Sequence, residues 1–313
     1  MSKKIAIRDA YGEALKELGA KNKNVVVLDA DVSSSSKSSL FGAQYPDRFF
    51  NVGIAEANMV AMAAGMSTSG KIPFVNTFAA FMVLKGADPV RSLIAYTKLN
   101  VKLAGTYAGL SDSYDGASHH SIMDIAFMRA LPNVTVVSVA DAVETKKAVQ
   151  TIAEYNGPVY LRLSRAEVPT IFDDSYNFEL RKGVQLTEGN DVTILATGYM
   201  VQKSLEAAEQ LKEKGINVQV VNIHTVKPID KELIIKCAKE TGAVVTVEEH
   251  SIYGGLGSAV AEVLIKEYPV PMEIIGIKDT FTETGAYELL LKKYGLCAEN
   301  IINKVQKVMK RKL

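Results

Sequence analysis

Glu56 is a carboxylate set directly ahead of a run of small and apolar residues, Ala57, Met59, Val60, Ala61, Ala63 and Ala64. That placement puts it at or near the start of a buried helix, where two chemistries are open. The helix dipole can stabilise a first-turn anion. Alternatively, a low-dielectric pocket raises the carboxyl pKa and keeps a proton available for transfer. Phe78 and Phe81, three apart after a strand-like run, serve either as core or as an aromatic floor for a planar heterocycle. His119 and His120 are adjacent, which is poor spacing for metal ligands, and no third or fourth ligand accompanies them, so no metal site is expected on this chain. Ser33 to Ser36 read as flexible loop or as hydroxyls for a phosphate or sugar. Gly254-Gly255-Leu256-Gly257 mimics part of a dinucleotide fingerprint but follows the third strand of its unit, so it reads as a tight turn with close helix packing.

The elements that must position these residues alternate between short β-branched runs and longer amphipathic segments. Val25 to Leu28, Ile72 to Asn76, Asn100 to Ala104, Val134 to Val139 and Val159 to Leu163 read as buried strands, with helices between them, one around Phe81 to Tyr96. From about Ser164 to Asn190 the periodicity lapses. It then restarts with strands at Val192 to Thr197, Val218 to Ile223, Ala243 to Val247 and Met272 to Ile277. This predicts an α/β fold of two doubly wound parallel sheets covered on both faces: a first domain over 1–170, a linker over 171–189 and a smaller domain over 190–313. The polar stretches after the first domain's strands are then the ligand-facing loops.

Composition narrows the function classes. The 313 residues suffice for two cores, and 48% apolar with 23% charged is the balance of a soluble globular chain. Lys plus Arg number 36 against 35 Asp plus Glu, so no global field favours nucleic acid or anionic lipid. There is no signal-peptide pattern and no membrane-length apolar run. Cys237 and Cys297 form neither a CxxC pair nor a disulfide framework; they read as small buried hydrophobes, and a cytoplasmic location is expected.

The order of the motifs is more specific than any one of them. Asp29-Ala30-Asp31, Asn51-Val52-Gly53-Ile54-Ala55-Glu56-Ala57-Asn58-Met59, Pro73-Phe74-Val75-Asn76-Thr77-Phe78, Asp115-Gly116-Ala117-Ser118-His119 and Leu161-Arg162-Leu163-Ser164-Arg165 follow one another as they do in transketolases. The chain resembles that family over essentially its whole length, including Val247-Glu248-Glu249-His250. The likeness is to split forms, in which the pyrimidine-binding and C-terminal domains make one subunit.

The resemblance implies thiamine diphosphate as cofactor and transfer of a two-carbon ketol unit from a ketose to an aldose. Glu56 would bond the aminopyrimidine ring and activate the cofactor for attack on a ketose carbonyl, Phe81 would stack on that ring, and Phe78 and Ile54 would line its pocket. Asp31 would lie near the cofactor or across a subunit interface. Asp115 and His119 would meet sugar hydroxyls, with His119 moving protons at the cleaved bond. Arg8, Ser35 and Arg165 match positions that hold a substrate's terminal phosphate, a task suited to guanidinium.

Three departures fall on the substrate channel. Tyr107 stands where a phosphate-binding histidine is usual, Tyr114 where a glutamate is, and His120 where a glutamine is. They imply an unusual sugar, such as one with a sulfonate terminus. No Gly-Asp-Gly and Asn pattern for magnesium and diphosphate occurs in the chain. A partner subunit with the N-terminal domain is therefore expected to hold the diphosphate and Mg2+, in an α2β2 assembly. The alternatives are the β subunit of a 2-oxo acid dehydrogenase and a non-catalytic nucleotide-binding regulatory protein.

Overall fold

The computed structural model describes residues 4–312. Seven strands form the larger sheet, in the order Thr225–Lys227, Thr135–Ser138, Val159–Arg162, Lys102–Thr106, Ile72–Phe78, Val25–Asp29, Phe49–Asn51. All neighbours are parallel except the first pair. A second sheet has five strands in the order Met272–Ile277, Val244–Ser251, Val192–Ala196, Val218–Asn222, Val184–Gln185, the last antiparallel. Along Val25–Asp29 the side chains alternate between two cores: Val25 and Val27 face the layer of helices Ile7–Lys21 and Ala142–Glu154, whereas Val26 and Leu28 face the layer of helix Glu56–Thr68. A strand buried on both faces needs an unbroken apolar run, which is what the sequence supplies.

Two features depart from the sequence pattern. The helix expected through Phe81 to Tyr96 is instead a helix Ala79–Leu84, a short turn Ala87–Pro89 and a π-helical segment Val90–Ala95. The break at Lys85-Gly86 falls four residues before Pro89, which has no N–H to continue a helical ladder. The strand Thr225–Lys227 belongs by sequence to the second half but adds an edge to the first sheet, so the second half lends the first unit a strand. The intervening segment is also anchored. Glu167–Pro169 pairs with Lys4–Ala6, and Asp141, which caps helix Ala142–Glu154, also accepts the Ile171 and Phe172 amides at 2.6 and 2.9 Å. Among the described residues no helix is long and apolar enough to cross a membrane. Cys237 is buried and Cys297 only half-buried, and both are free thiols.

Register places the ligand edge. Asp29 lies opposite Asn51 on one side and Asn76 on the other, and Phe78 lies opposite Thr106. The carboxyl ends of the central strands therefore open onto one crevice.

At the opposite, amino end of the sheet, Lys102 is fully buried. It donates to Asn100 Oδ1 and to the Tyr155 and Gly157 carbonyls at 2.5, 2.7 and 2.8 Å, with no counter-ion among these partners. Burial lowers its pKa to about 7. Between that value and the ordinary one near 10.5 the unfolded chain binds the extra proton, so stability rises with pH across this window. Raising the pH from 7 to 9 should add about 2 kcal/mol of unfolding free energy that Lys102→Met does not gain, read from urea denaturation of both proteins.

Candidate active site

Helix Glu56–Thr68 begins at Glu56, and its carboxylate is buried. Lys85 Nζ lies 3.8 Å from Glu56 Oε1, beyond hydrogen-bond reach, and 4.1 Å from the Phe81 ring centroid. Lys85 follows Phe81 by one helical turn, its amide donating to the Phe81 carbonyl at 2.8 Å, which brings its ammonium to this corner. Phe81 meets the His119 ring edge-on at 5.0 Å, and Phe78 lies 5.7 Å from Phe81 and 6.0 Å from His119. A buried carboxylate, one cation and an aromatic wall thus share one end of the crevice.

Phe78 joins this corner to the next, because Tyr107 stacks on it at 4.5 Å between centroids. Tyr107 ends the strand Lys102–Thr106 in the left-handed region at φ 58°, a conformation that costs a non-glycine residue about 1–2 kcal/mol. Its ring is met by two guanidiniums, Arg8 at 5.4 Å and Arg165 at 5.0 Å from the centroid, and its hydroxyl accepts from Arg8. Those cation–π contacts and the charged hydrogen bond offset the backbone cost. Arg8 also donates to the Ser35 carbonyl at 3.3 Å, while its buried Nε has no partner. Ser35 therefore contributes a backbone oxygen here; Ser36 and Ser38 instead turn their hydroxyls to Asp29, at 2.9 and 2.7 Å.

Asp112 is not among the residues expected from sequence. It is fully buried, accepts from Arg165 Nη1 at 3.3 Å and leaves Oδ2 without a partner. Ligand atoms of Asp112, Asp115 and His119 gather within 4.8 Å. Burial first, then the neighbouring Asp115 carboxyl, raises the Asp112 pKa to about 7, against the pull of Arg165. With a guanidinium already on it, this cluster suits sharing a proton better than holding a cation. Behind it, buried His120 pairs through Nδ1 with Thr282 Oγ1 at 2.6 Å, and burial lowers its pKa. No sequence signal marks Asp112, since only folding brings Arg165 to it. Lys85 was equally hidden inside an expected helix.

The remaining expected residues sit at the rim. Asp31, left-handed and exposed, accepts from Asn51 Nδ2 at 2.9 Å, and Ile54 is 75% exposed on the loop before Glu56. The Gly254 turn is closed to ligands from outside: the amides of Leu256 and Gly257 donate to Glu248 at 2.6 and 2.8 Å, so the helix start is capped by the chain's own carboxylate.

Residues 3–170 match the family model of the transketolase pyrimidine-binding domain, and residues 181–301 match that of the transketolase C-terminal domain. The chain belongs to the transketolase family. A 6-deoxy-6-sulfo-D-fructose transketolase subunit of Clostridium sp. (strain MSTE9) is 43% identical over 98% of this chain and 95% of that protein. An apulose-4-phosphate transketolase subunit from Phocaeicola vulgatus is 39% identical over 98% of both chains. A solved split-gene transketolase, an inactive β4 tetramer, superimposes with a TM-score of 0.92 at 51% identity, covering 99% of this chain and 100% of that one. This transketolase chain thus corresponds to the split-form section with pyrimidine-binding and C-terminal domains.

The transketolase family implies thiamine diphosphate, and the residues present fit its pyrimidine half. Glu56 is buried with only a long ion pair, and it lies beside the Phe81 and Phe78 rings. Such a carboxylate is free to accept from a protonated ring nitrogen. The Tyr107 hydroxyl can be weighed separately from its ring. Tyr107→Phe should lower unfolding free energy by about 1–2 kcal/mol by removing the Arg8 acceptor. Tyr107→Ala should lower it by about 3 kcal/mol or more by also emptying the stack. Urea denaturation of the isolated chain measures both.

Proposed function

We propose that this chain is the subunit of a split, thiamine-diphosphate-dependent transketolase that supplies the pyrimidine face of the cofactor site and the tail end of the substrate site. It transfers a two-carbon ketol unit from a ketose with an anionic terminus to an aldose. The observation that carries this reading is a continuous line of contacts: Glu56, Lys85, Phe81 and His119 adjoin through Phe78 and Tyr107 the guanidiniums of Arg8 and Arg165.

When bound, thiamine diphosphate supplies the electron sink for breaking the bond beside the ketose carbonyl. Glu56 holds the ring nitrogen in its protonated state, Phe81 and Phe78 fix the ring plane, and Ile54 and Asp31 border the pocket. Asp115 and His119 bind sugar hydroxyls, and His119, in the cluster with Asp112, moves a proton at the cleaved bond. The diphosphate and Mg2+ are held by a partner subunit, in an α2β2 assembly. The inactivity of the β4 tetramer formed by a 51% identical split-gene relative supports the need for that partner.

The tail site also has a charge signature. Two guanidiniums face it, one of them paired with Asp112, and the position of the usual histidine holds neutral Tyr107. Above pH 7, Arg8, Arg165 and ionised Asp112 together carry a charge near +1, which suits a monoanionic tail such as sulfonate better than a phosphate dianion. The related sulfosugar enzyme supports this choice and the apulose-4-phosphate enzyme opposes it, so rates decide.

Tagged chain should co-purify with a partner carrying the diphosphate site, and the complex should transfer ketol units without decarboxylating 2-oxo acids. With ketose donors differing only in the terminus, kcat/KM should favour sulfonate by about tenfold, or about 1.4 kcal/mol; an ordinary preference for xylulose 5-phosphate removes the sulfonate assignment. Protonation of Asp112 frees Arg165, so KM for a sulfonate donor should fall about threefold from pH 8 to pH 6, as expected for a partly exposed ion pair. Asp112→Asn should abolish that trend.

A further inference from the structure

The second domain places no side chain among the residues assigned to the cofactor or the substrate, yet it grips the loop that carries Tyr107, Asp112, Asp115 and His119. The stretch from Tyr107 to Ser121 leaves the first sheet and returns to it. Its neck is closed by the amides of Gly109 and Ser121, each donating to the other's carbonyl at 3.0 Å. Against this neck stands Glu249, fully buried on the second domain's strand Val244–Ser251. Its Oε1 accepts the Leu110 amide at 2.6 Å. Gly109 is left-handed at φ 66°, and a Cβ there would collide with the Glu249 carboxyl. Arg162 braces the same point, donating through Nη2 to the Ser121 carbonyl at 3.2 Å and the Glu249 carbonyl at 2.9 Å. Farther out, Gly285 N donates to the Ser113 carbonyl at 3.0 Å and Thr282 holds His120.

We propose that Glu249 is a positioning residue: reaching across the domain boundary, it fixes the neck of the Tyr107–Ser121 loop and thereby the spacing between the tail site at Tyr107 and the sugar-binding pair Asp115 and His119. A carboxyl suits this task because its Oε1 accepts a backbone amide that the loop's own turn leaves unpaired; burial raises its pKa to about 7, a cost that the nearby Arg162 guanidinium offsets only in part. The adjacent Glu248, on the other face of the strand, caps its own domain's helix, so the two glutamates divide the work by side-chain alternation. The consequence for substrate rests on the proposed function; the consequence for the loop does not.

The test therefore has two arms. Amide hydrogen exchange on the purified chain should show peptides spanning 107–121 exchanging about tenfold faster in Glu249→Leu, with strands Val25–Asp29 and Val192–Ala196 unchanged. Glu249→Gln, which keeps an acceptor oxygen, should stay within about threefold of wild type. Gly109→Ala, perturbing the same contact from the loop side, should reproduce the local loosening if Glu249→Leu does not fold. In the assembled enzyme, Glu249→Leu should raise donor KM about tenfold with kcat changed less than about threefold. Unchanged exchange in the loop, loosening that spreads through both sheets, or a fall in kcat at constant KM would each overturn the proposal. Should the wild-type complex lack ketol transfer altogether, the functional reading fails and the exchange arm alone decides the role of Glu249.

Discussion

The ion pair between Arg162 and Asp124 is the constraint around which the two domains are organised. Both groups are buried, 2.7 Å apart, and Tyr160 donates to the same carboxylate at 2.7 Å. The attraction to Arg162 keeps the Asp124 pKa below the usual carboxylate range, despite a burial cost that acts the other way. A pair of this kind adds little net stability over an apolar replacement, but losing one partner strands a buried charge at a cost of about 3–5 kcal/mol. Its value is directional. From the end of a central strand, Arg162 reaches the Ser121 carbonyl in its own domain and the Glu249 carbonyl in the other, so one planar cation fixes sheet, loop and neighbouring domain together.

That arrangement explains how a crevice built from separated segments keeps its shape. Glu56 rides on a helix, Phe78 on a strand end, and His119 and Asp115 on an irregular loop. A loop of this kind would be mobile if it rested on its own contacts. Here each stage of it is tied down: Glu249 at the neck, Thr282 behind His120, Ser111 Oγ to the Arg165 amide at 3.1 Å. The C-terminal domain, which the proposed chemistry does not use directly, acts as the wall against which the Tyr107–Ser121 loop of the first domain rests.

The tail end follows a different logic. Tyr107 is held in a left-handed conformation by its contacts with two guanidiniums and by the Phe78 stack. A neutral aromatic there adds no charge to two neighbouring cations, and Asp112 compensates one of them. The charge at this end therefore depends on a buried carboxyl whose protonation the fold controls.

The sequence by itself determined the alternation of buried strands and amphipathic helices, because burial on both faces demands continuous apolar runs. It also determined the motif order around Glu56, Phe78, His119 and Arg165. The helix break at Lys85, the strand Thr225–Lys227 crossing into the first sheet and the contact of the Ser35 carbonyl with Arg8 emerged only in the tertiary structure. Asp112 and Glu249 belong with these: each acquires its meaning from a partner 53 and 139 residues away in the chain, Arg165 and Leu110. Local pattern carries propensity and periodicity, whereas a buried carboxyl is defined by what is folded against it. That is why the fold was legible along the chain and the electrostatics of the site were not.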